Sequence, residues 1–303
     1  MTSFLLALLP VALIVALGRI VAAQGWIAPD GWRGIERLSY TVLFPSLIVR
    51  SLCQAPFETA PWRLVVALIS AQVILGMAGL LARGARGIEL PAVGSIVQSN
   101  VRWNTFVALS LGSTLFGAEG LALATIAAAA MIPTANVLSV YGLLLHADPA
   151  QGCKVRPLRA LTTNPLVIAC ALGGLLAVAG VELPVAIDGA LRILGEATIA
   201  LGLLSAGAGV DLSALQRAGR RTVLWSLVRL LGLPASTYLA GIAMDLTGTS
   251  LAVALICSSV PTATNGYILS RQLGGDTALS ANLIAVQTVL AMVTMPLIWL
   301  LSL

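Results

Sequence analysis

The sequence is poor in the groups on which soluble proteins and most enzymes depend. Of its 303 residues only 10% are charged and 5% aromatic, with a single histidine, His146, and four cysteines. A soluble domain carries about 25% charged residues. This shortage excludes an ordinary cytosolic enzyme and a disordered chain. The cysteines, Cys53, Cys153, Cys170 and Cys257, form no CxxC pair, and three lie in or beside apolar runs, so they read as small apolar fillers. With one histidine at a span end, histidine-based metal or triad chemistry has no raw material, and no cofactor is expected. The net charge of +5 does not point to nucleic acid, because the basic residues are scattered between apolar runs.

What the sequence has is aliphatic mass: 58% hydrophobic residues and a mean hydropathy of +0.98. Continuous runs such as 4–17 do not alternate, which excludes a β-barrel and predicts an all-α integral membrane protein in contact with the lipid bilayer. A spanning helix needs about 20 apolar residues. Charged, Gly and Pro punctuation divides the chain into ten such spans, near 3–23, 34–53, 62–82, 93–115, 119–145, 161–180, 186–209, 222–244, 249–270 and 278–302. The apolar N-terminus lacks a basic leader and reads as the first span.

Basic residues concentrate on cytoplasmic loops. With the N-terminus outside, inward loops hold Arg33, Arg37, Arg83, Arg86, Lys154, Arg156, Arg159, Arg217, Arg220, Arg221 and Arg271, whereas outward loops and span ends hold only Arg50 and Arg63. Both termini are therefore expected outside.

Residues 10–29 and 165–184 match at a constant offset of 155, sharing Pro10/Pro165, Ala16/Ala171, Leu17/Leu172, Gly18/Gly173, Ala22/Ala177, Gly25/Gly180 and Pro29/Pro184. Two five-span halves follow, 1–146 and 161–303, joined by a short cytoplasmic loop, 147–160. Five is odd, so the second half inserts inverted. Basic loops in one half face weakly charged or acidic ones in the other, as at Arg33 and Arg37 against Glu182. Inverted repeats are the signature of secondary transporters.

The fourth and ninth spans carry the polar groups. One holds Gln98, Asn100, Arg102, Asn104 and Thr105; the other holds Ser258, Ser259, Pro261, Thr262, Thr264 and Asn265. Aligned at Gly117/Gly275, Trp103 falls on Pro261 and Asn104 on Thr262. Pro261 breaks its helix, and broken backbone at membrane depth survives only where it lines a cavity or packs in protein. Freed helix N-termini suit a carboxylate. Asn and Thr also bond packed spans together, so binding and interhelical glue both stay open for these residues. Arg102 either binds an anion or snorkels to an interface. Arg229, deep in the eighth span, is a counter-ion for an anionic substrate or the partner of a carboxylate. Glu196, the carboxylate nearest a span middle, is the candidate for proton or sodium coupling, but Arg192 four residues earlier offers an ion pair instead. Asp188 reads as interfacial.

These residues resemble the auxin efflux carrier family, which includes bacterial permeases and plant PIN-type carriers. The resemblance rests on residues 101–126, 163–176, 194–212 and 258–296, and the order and spacing of these stretches extend it over the chain. It implies ten helices in two inverted repeats, similar to bile-acid symporters and sodium/proton antiporters, with helices 4 and 9 broken and crossing near the substrate. Helices 1, 2, 6 and 7 would form a scaffold and homodimer contact, and helices 3–5 and 8–10 the moving domain. The family's crossover Asn falls on Asn104 and its second crossover Pro on Pro261. Two departures, the short central loop and Gln72 where plant carriers place an acidic residue, point away from auxin. Bacterial members are commonly permeases for small organic acids, which fits a basic, Asn-lined site, so the resemblance implies a small mono- or dicarboxylate permease of a bacterial cytoplasmic membrane. The alternative of the same fold is a cation or proton antiporter using Glu196. An intramembrane enzyme would need a paired nucleophile and base that the spans do not offer. A non-transporting receptor would bind ligand without flux.

Overall fold

The computed structural model describes residues 2–54, 62–85, 87–147 and 163–300, and the described residues are almost entirely helical, with no strand among them. Most of the expected central loop, 147–160, lies outside them, as do Glu58, Arg86, Cys153, Lys154, Arg156 and Arg159.

The first half opens with α1 (Thr2–Ala23) and α2 (Pro29–Leu38), which passes through a π-turn, Ser39–Leu43, into α3 (Phe44–Gln54). This rod starts five residues before the expected 34 because Pro29 suits a first helical turn, where its missing N–H costs nothing. Then come α4 (Trp62–Leu80) with a 3₁₀ tail, α5 (Leu90–Val101) and α6 (Thr105–Leu144). The second half holds α7 (Pro165–Val178), α8 (Val185–Ala208), a short α9 (Leu212–Arg217), α10 (Arg220–Ala243), α11 (Gly248–Ser259), α12 (Gly266–Leu273) and α13 (Thr277–Trp299). The α9 turn has no counterpart among the expected spans; Asp211 caps it by accepting from the Ser213 amide.

Among the described residues, five stretches are long and apolar enough to cross a membrane: Ser3–Ala23, Trp62–Gly84, Leu90–Leu144, Arg220–Ala243 and Thr277–Trp299. The third folds back on itself. At Gly117 the backbone turns to φ 58°, ψ −139°, a conformation open to glycine. A Cβ on Gly112 would lie 2.9 Å from the Gly120 carbonyl oxygen, so the segments flanking the kink pack backbone to backbone. Outside, α1 presents Leu5, Leu6, Leu9, Leu13, Leu17 and Ile20 as an exposed aliphatic stripe, a surface suited to lipid and not to water.

The likeness between residues 10–29 and 165–184 extends to hydrogen bonding. The α1 end closes with Gly25 N–H to Ala22 O (3.2 Å) and Trp26 N–H to Val21 O (3.2 Å); the α7 end closes with Gly180 N–H to Ala177 O (3.0 Å) and Val181 N–H to Leu176 O (3.0 Å). Both are Schellman closures around a left-handed glycine, φ 68° at Gly25 and 64° at Gly180, each 155 residues from its counterpart. Packing follows the same exchange, with α1 along α8 and α3 along α7. Along the first of these seams a Cβ on Gly18 would strike the Leu204 carbonyl, and one on Gly207 the Val15 carbonyl. Beside the Gly117/Gly275 alignment, the glycine with a left-handed backbone is Gly274, φ 73°, the residue before Gly275.

Candidate functional site

Two helices break at matching places. α5 stops at Val101 and α11 at Ser259, and the next residues, Arg102 (φ −77°, ψ 152°) and Val260 (φ −64°, ψ 152°), are both extended. Chain resumes helically at Thr105 and at Gly266. The breaks touch: the Asn104 amide donates to Pro261 O at 2.8 Å. Asn104 also caps α6, its Oδ1 accepting from the Val107 amide at 3.3 Å, which satisfies one donor of the freed helix end. Thr105 is the first residue of α6 and is buried. Across the crossing, the Thr262 amide donates to Gln287 Oε1 at 3.0 Å, and Gln287 Nε2 reaches Ser99 Oγ at 2.8 Å.

The polar residues divide into two groups. Asn100 is glue: its Nδ2 donates to Leu75 O at 3.2 Å, tying α5 to α4. Gln98 likewise donates to Gly266 O (3.0 Å) and to the Ser270 and Ser280 hydroxyls. Ser258 and Ser259 return their hydroxyls to their own helix. Asn104, Pro261 and Thr264, by contrast, line a small cavity of about 20 Å³ against Val11 and Val15 of α1, Ala206 of α8 and Met292 of α13. That is room for roughly one water.

Around Arg102 lies a second polar cluster. Its guanidinium donates to Asn265 Oδ1 at 2.9 Å and to Asn136 Oδ1 at 3.0 Å. Tyr40, in the π-turn, interacts with Asn136, Arg102 and Asn164. Asn164 caps α7, its Oδ1 accepting from the Leu166 amide at 2.9 Å. Arg102 Nε and Asn136 Nδ2 are buried and make no hydrogen bond of ordinary geometry, although Tyr40 lies beside Asn136. Buried donors are ordinarily satisfied, and here one unsatisfied donor belongs to the guanidinium itself and the other to an amide bonded to it, while the partners of that guanidinium are neutral. Asn265 is exposed, so the cluster reaches the surface along the α12 side through that residue. A carboxylate would supply the acceptors these donors lack.

Arg229 sits elsewhere in the crossing. It is fully buried, and its donors end on backbone carbonyls: Arg102 O (3.3 and 3.1 Å), Ser258 O (2.7 Å) and Val260 O (3.2 Å). The carboxylate partner open to it from the sequence is not among its bonds. Glu196 pairs with Arg192 at 3.3 Å, both exposed on the outer face of α8. Asp188 receives Arg50 Nε at 2.8 Å and Gln54 at 2.9 Å, joining α8 to α3. Among the described residues neither Arg102 nor Arg229 has a carboxylate within ion-pair distance.

Sequence reasoning missed Tyr40, Asn136 and Asn164. One signal was available: Asn136 is the lone amide in the alanine-rich fifth span.

Residues 3–299 match the family described as membrane transport protein. Relatives include an uncharacterized transporter of Methanothermobacter thermautotrophicus, 26% identical over 295 residues and covering 95% of both chains. Another is the uncharacterized transporter YfdV of Escherichia coli K12, 23% identical over 310 residues and covering 98% of this chain and 97% of its own.

Proposed function

This chain belongs to the auxin efflux carrier family of membrane transport proteins, and on that premise we propose that it is a secondary transporter of a small organic anion, a mono- or dicarboxylate. One observation carries the reading. A buried guanidinium, Arg102, is bonded to the neutral amides of Asn265 and Asn136 and keeps its own Nε unsatisfied. Burying a charge without a counter-ion is costly, and an anionic substrate offsets that cost while it is bound. Tyr40 and the amide-capped N-terminus of α7 add a hydroxyl and a positive helix end beside the guanidinium.

The architecture we infer is ten spans in two inverted five-helix repeats. The repeated Schellman closures and the exchanged packing of α1 on α8 and α3 on α7 support it. Tyr40 and Asn164 then belong to the scaffold, and Arg102, Asn136 and Asn265 to the moving bundle. The anion is gripped between the two bodies, and their rocking alternates its access. The 20 Å³ cavity on the α1 and α8 side is too small for a carboxylate, so that side is closed in this conformation. The loop charge asymmetry supports both termini outside a bacterial cytoplasmic membrane, with the Arg102 cluster open to the cytoplasmic half. The exposed Arg192–Glu196 pair on a spanning helix supports a homodimer, since a second copy would shield it from lipid.

Calorimetric titration of the purified protein with a panel of carboxylates and their neutral amides tests the site. Carboxylates should bind and amides should not; equal binding of the two would refute an anion site.

A further inference from the structure

The two halves hold their broken helices with equivalent side chains. Gln72 on α4 and Arg229 on α10 stand 157 residues apart, as do Val101 and Ser258. Gln72 Nε2 donates to Val101 O at 2.8 Å and to Met131 O at 3.3 Å; Arg229 Nη1 donates to Ser258 O at 2.7 Å. Each side chain thus staples the C-terminal end of the half-helix beside it. The difference lies in charge and reach. Gln72 is neutral, whereas Arg229 extends further and also gathers Val260 O and Arg102 O.

A helix C-terminus is the negative end of its dipole. Here the C-terminal ends of α5 and α11 meet, and their carbonyls converge from two breaks onto one positively charged group. Converging carbonyls at broken helix ends are what a transporter uses to coordinate a coupling cation. We infer that Arg229 is a resident cation: its guanidinium occupies the carbonyl cluster that a metal ion would otherwise fill, and it holds the crossing in shape without a coupling ion. Arg229 is therefore a positioning residue and not a substrate ligand. It is fully buried, absent from the lining of the cavity beside Asn104, and commits four of its five N–H donors to backbone carbonyls. The guanidinium also fits the task better than an ammonium, because its planar fork addresses three oxygens in different directions.

The test is the thermal stability of the purified full-length protein, a readout that uses no carboxylate and so stands or falls apart from the anion site. Wild type should melt at the same temperature when sodium is replaced by potassium or choline. Arg229→Ala should melt lower, and guanidinium, at concentrations that leave wild type unmoved, should restore at least half of the loss. Tetramethylammonium, equally charged but without N–H donors, should restore none. Absence of a guanidinium-specific recovery, or a wild type that sodium stabilises, would overturn the inference. If Arg229→Ala yields no folded protein, Arg229→Lys and Arg229→Met decide: the lysine variant should melt well above the methionine variant, and equal melting of the two would overturn it.

Discussion

Replacing Arg102 by glutamine should separate binding from stability. In the wild type the guanidinium donates to two neutral acceptors, Asn265 Oδ1 at 2.9 Å and Asn136 Oδ1 at 3.0 Å, and keeps an orphaned Nε. A bound carboxylate would accept charge-assisted bonds from this group, each worth about 1.5–3 kcal/mol net. Losing two of them, at the low end, removes about 3 kcal/mol, roughly a hundredfold in Kd. The empty protein responds differently. Arg102→Gln loses two bonds to neutral amides, but it also removes a buried charge whose desolvation costs several kcal/mol. These terms nearly cancel, so Tm without ligand should stay level or rise. Titration calorimetry with the best carboxylate, paired with melting in detergent, reads both quantities. An affinity preserved within about threefold, less than 1 kcal/mol, would refute the reasoning. So would a large fall in Tm that tracks the loss of binding, because Arg102 would then be structural.

Three further outcomes follow from the packing and the charges. Gly207→Ala places a methyl against the Val15 carbonyl on the α1–α8 seam; it should destabilise the protein by about 1–3 kcal/mol, the usual cost of overpacking, and an unchanged melting curve would count against this seam. Glu196→Gln, which touches the pair with Arg192 and lies outside the Arg102 cluster, should leave carboxylate flux within about twofold, under 0.5 kcal/mol; abolished flux would favour the cation or proton antiporter. Asp211 is held below the usual carboxylate range by the Ser213 hydroxyl and amide and then by Arg217. A carboxyl depressed in the folded state contributes stability above its unfolded pKa of about 3.9 and loses it as pH falls through the folded value. Asp211→Ala should therefore raise amide exchange in α9 at neutral pH and match wild type in acid, and equal exchange at neutral pH would refute the cap.

Legibility in the sequence tracked locality. Gly25 and Gly180, with their flanking prolines, marked two helix ends, and those ends close with the same bonds because a Schellman closure needs only neighbouring residues and a left-handed glycine. The breaks after Val101 and Ser259 were signalled by polar residues and Pro261 inside apolar runs. The Arg192–Glu196 pair was visible as an i,i+4 spacing. Groups assembled across the fold were hidden. Tyr40, Asn136 and Asn164 come from three distant segments, and the π-turn that carries Tyr40 leaves no compositional mark. The role of Arg229 was hidden for a different reason: its partners are backbone carbonyls, which every residue owns and no residue type advertises. A search for a charged partner, the natural step from sequence, looks in the wrong place.

The central claim is that a carboxylate crosses the membrane through the Arg102 cluster. Counterflow in proteoliposomes tests it most directly, with wild type, Arg102→Gln and Asn136→Ala each loaded with one unlabelled acid and offered its labelled form outside. The account predicts labelled uptake by wild type for at least one mono- or dicarboxylate, strongly reduced in both variants. Uptake that persists undiminished in both, or a folded wild type that exchanges no carboxylate at all, would contradict it.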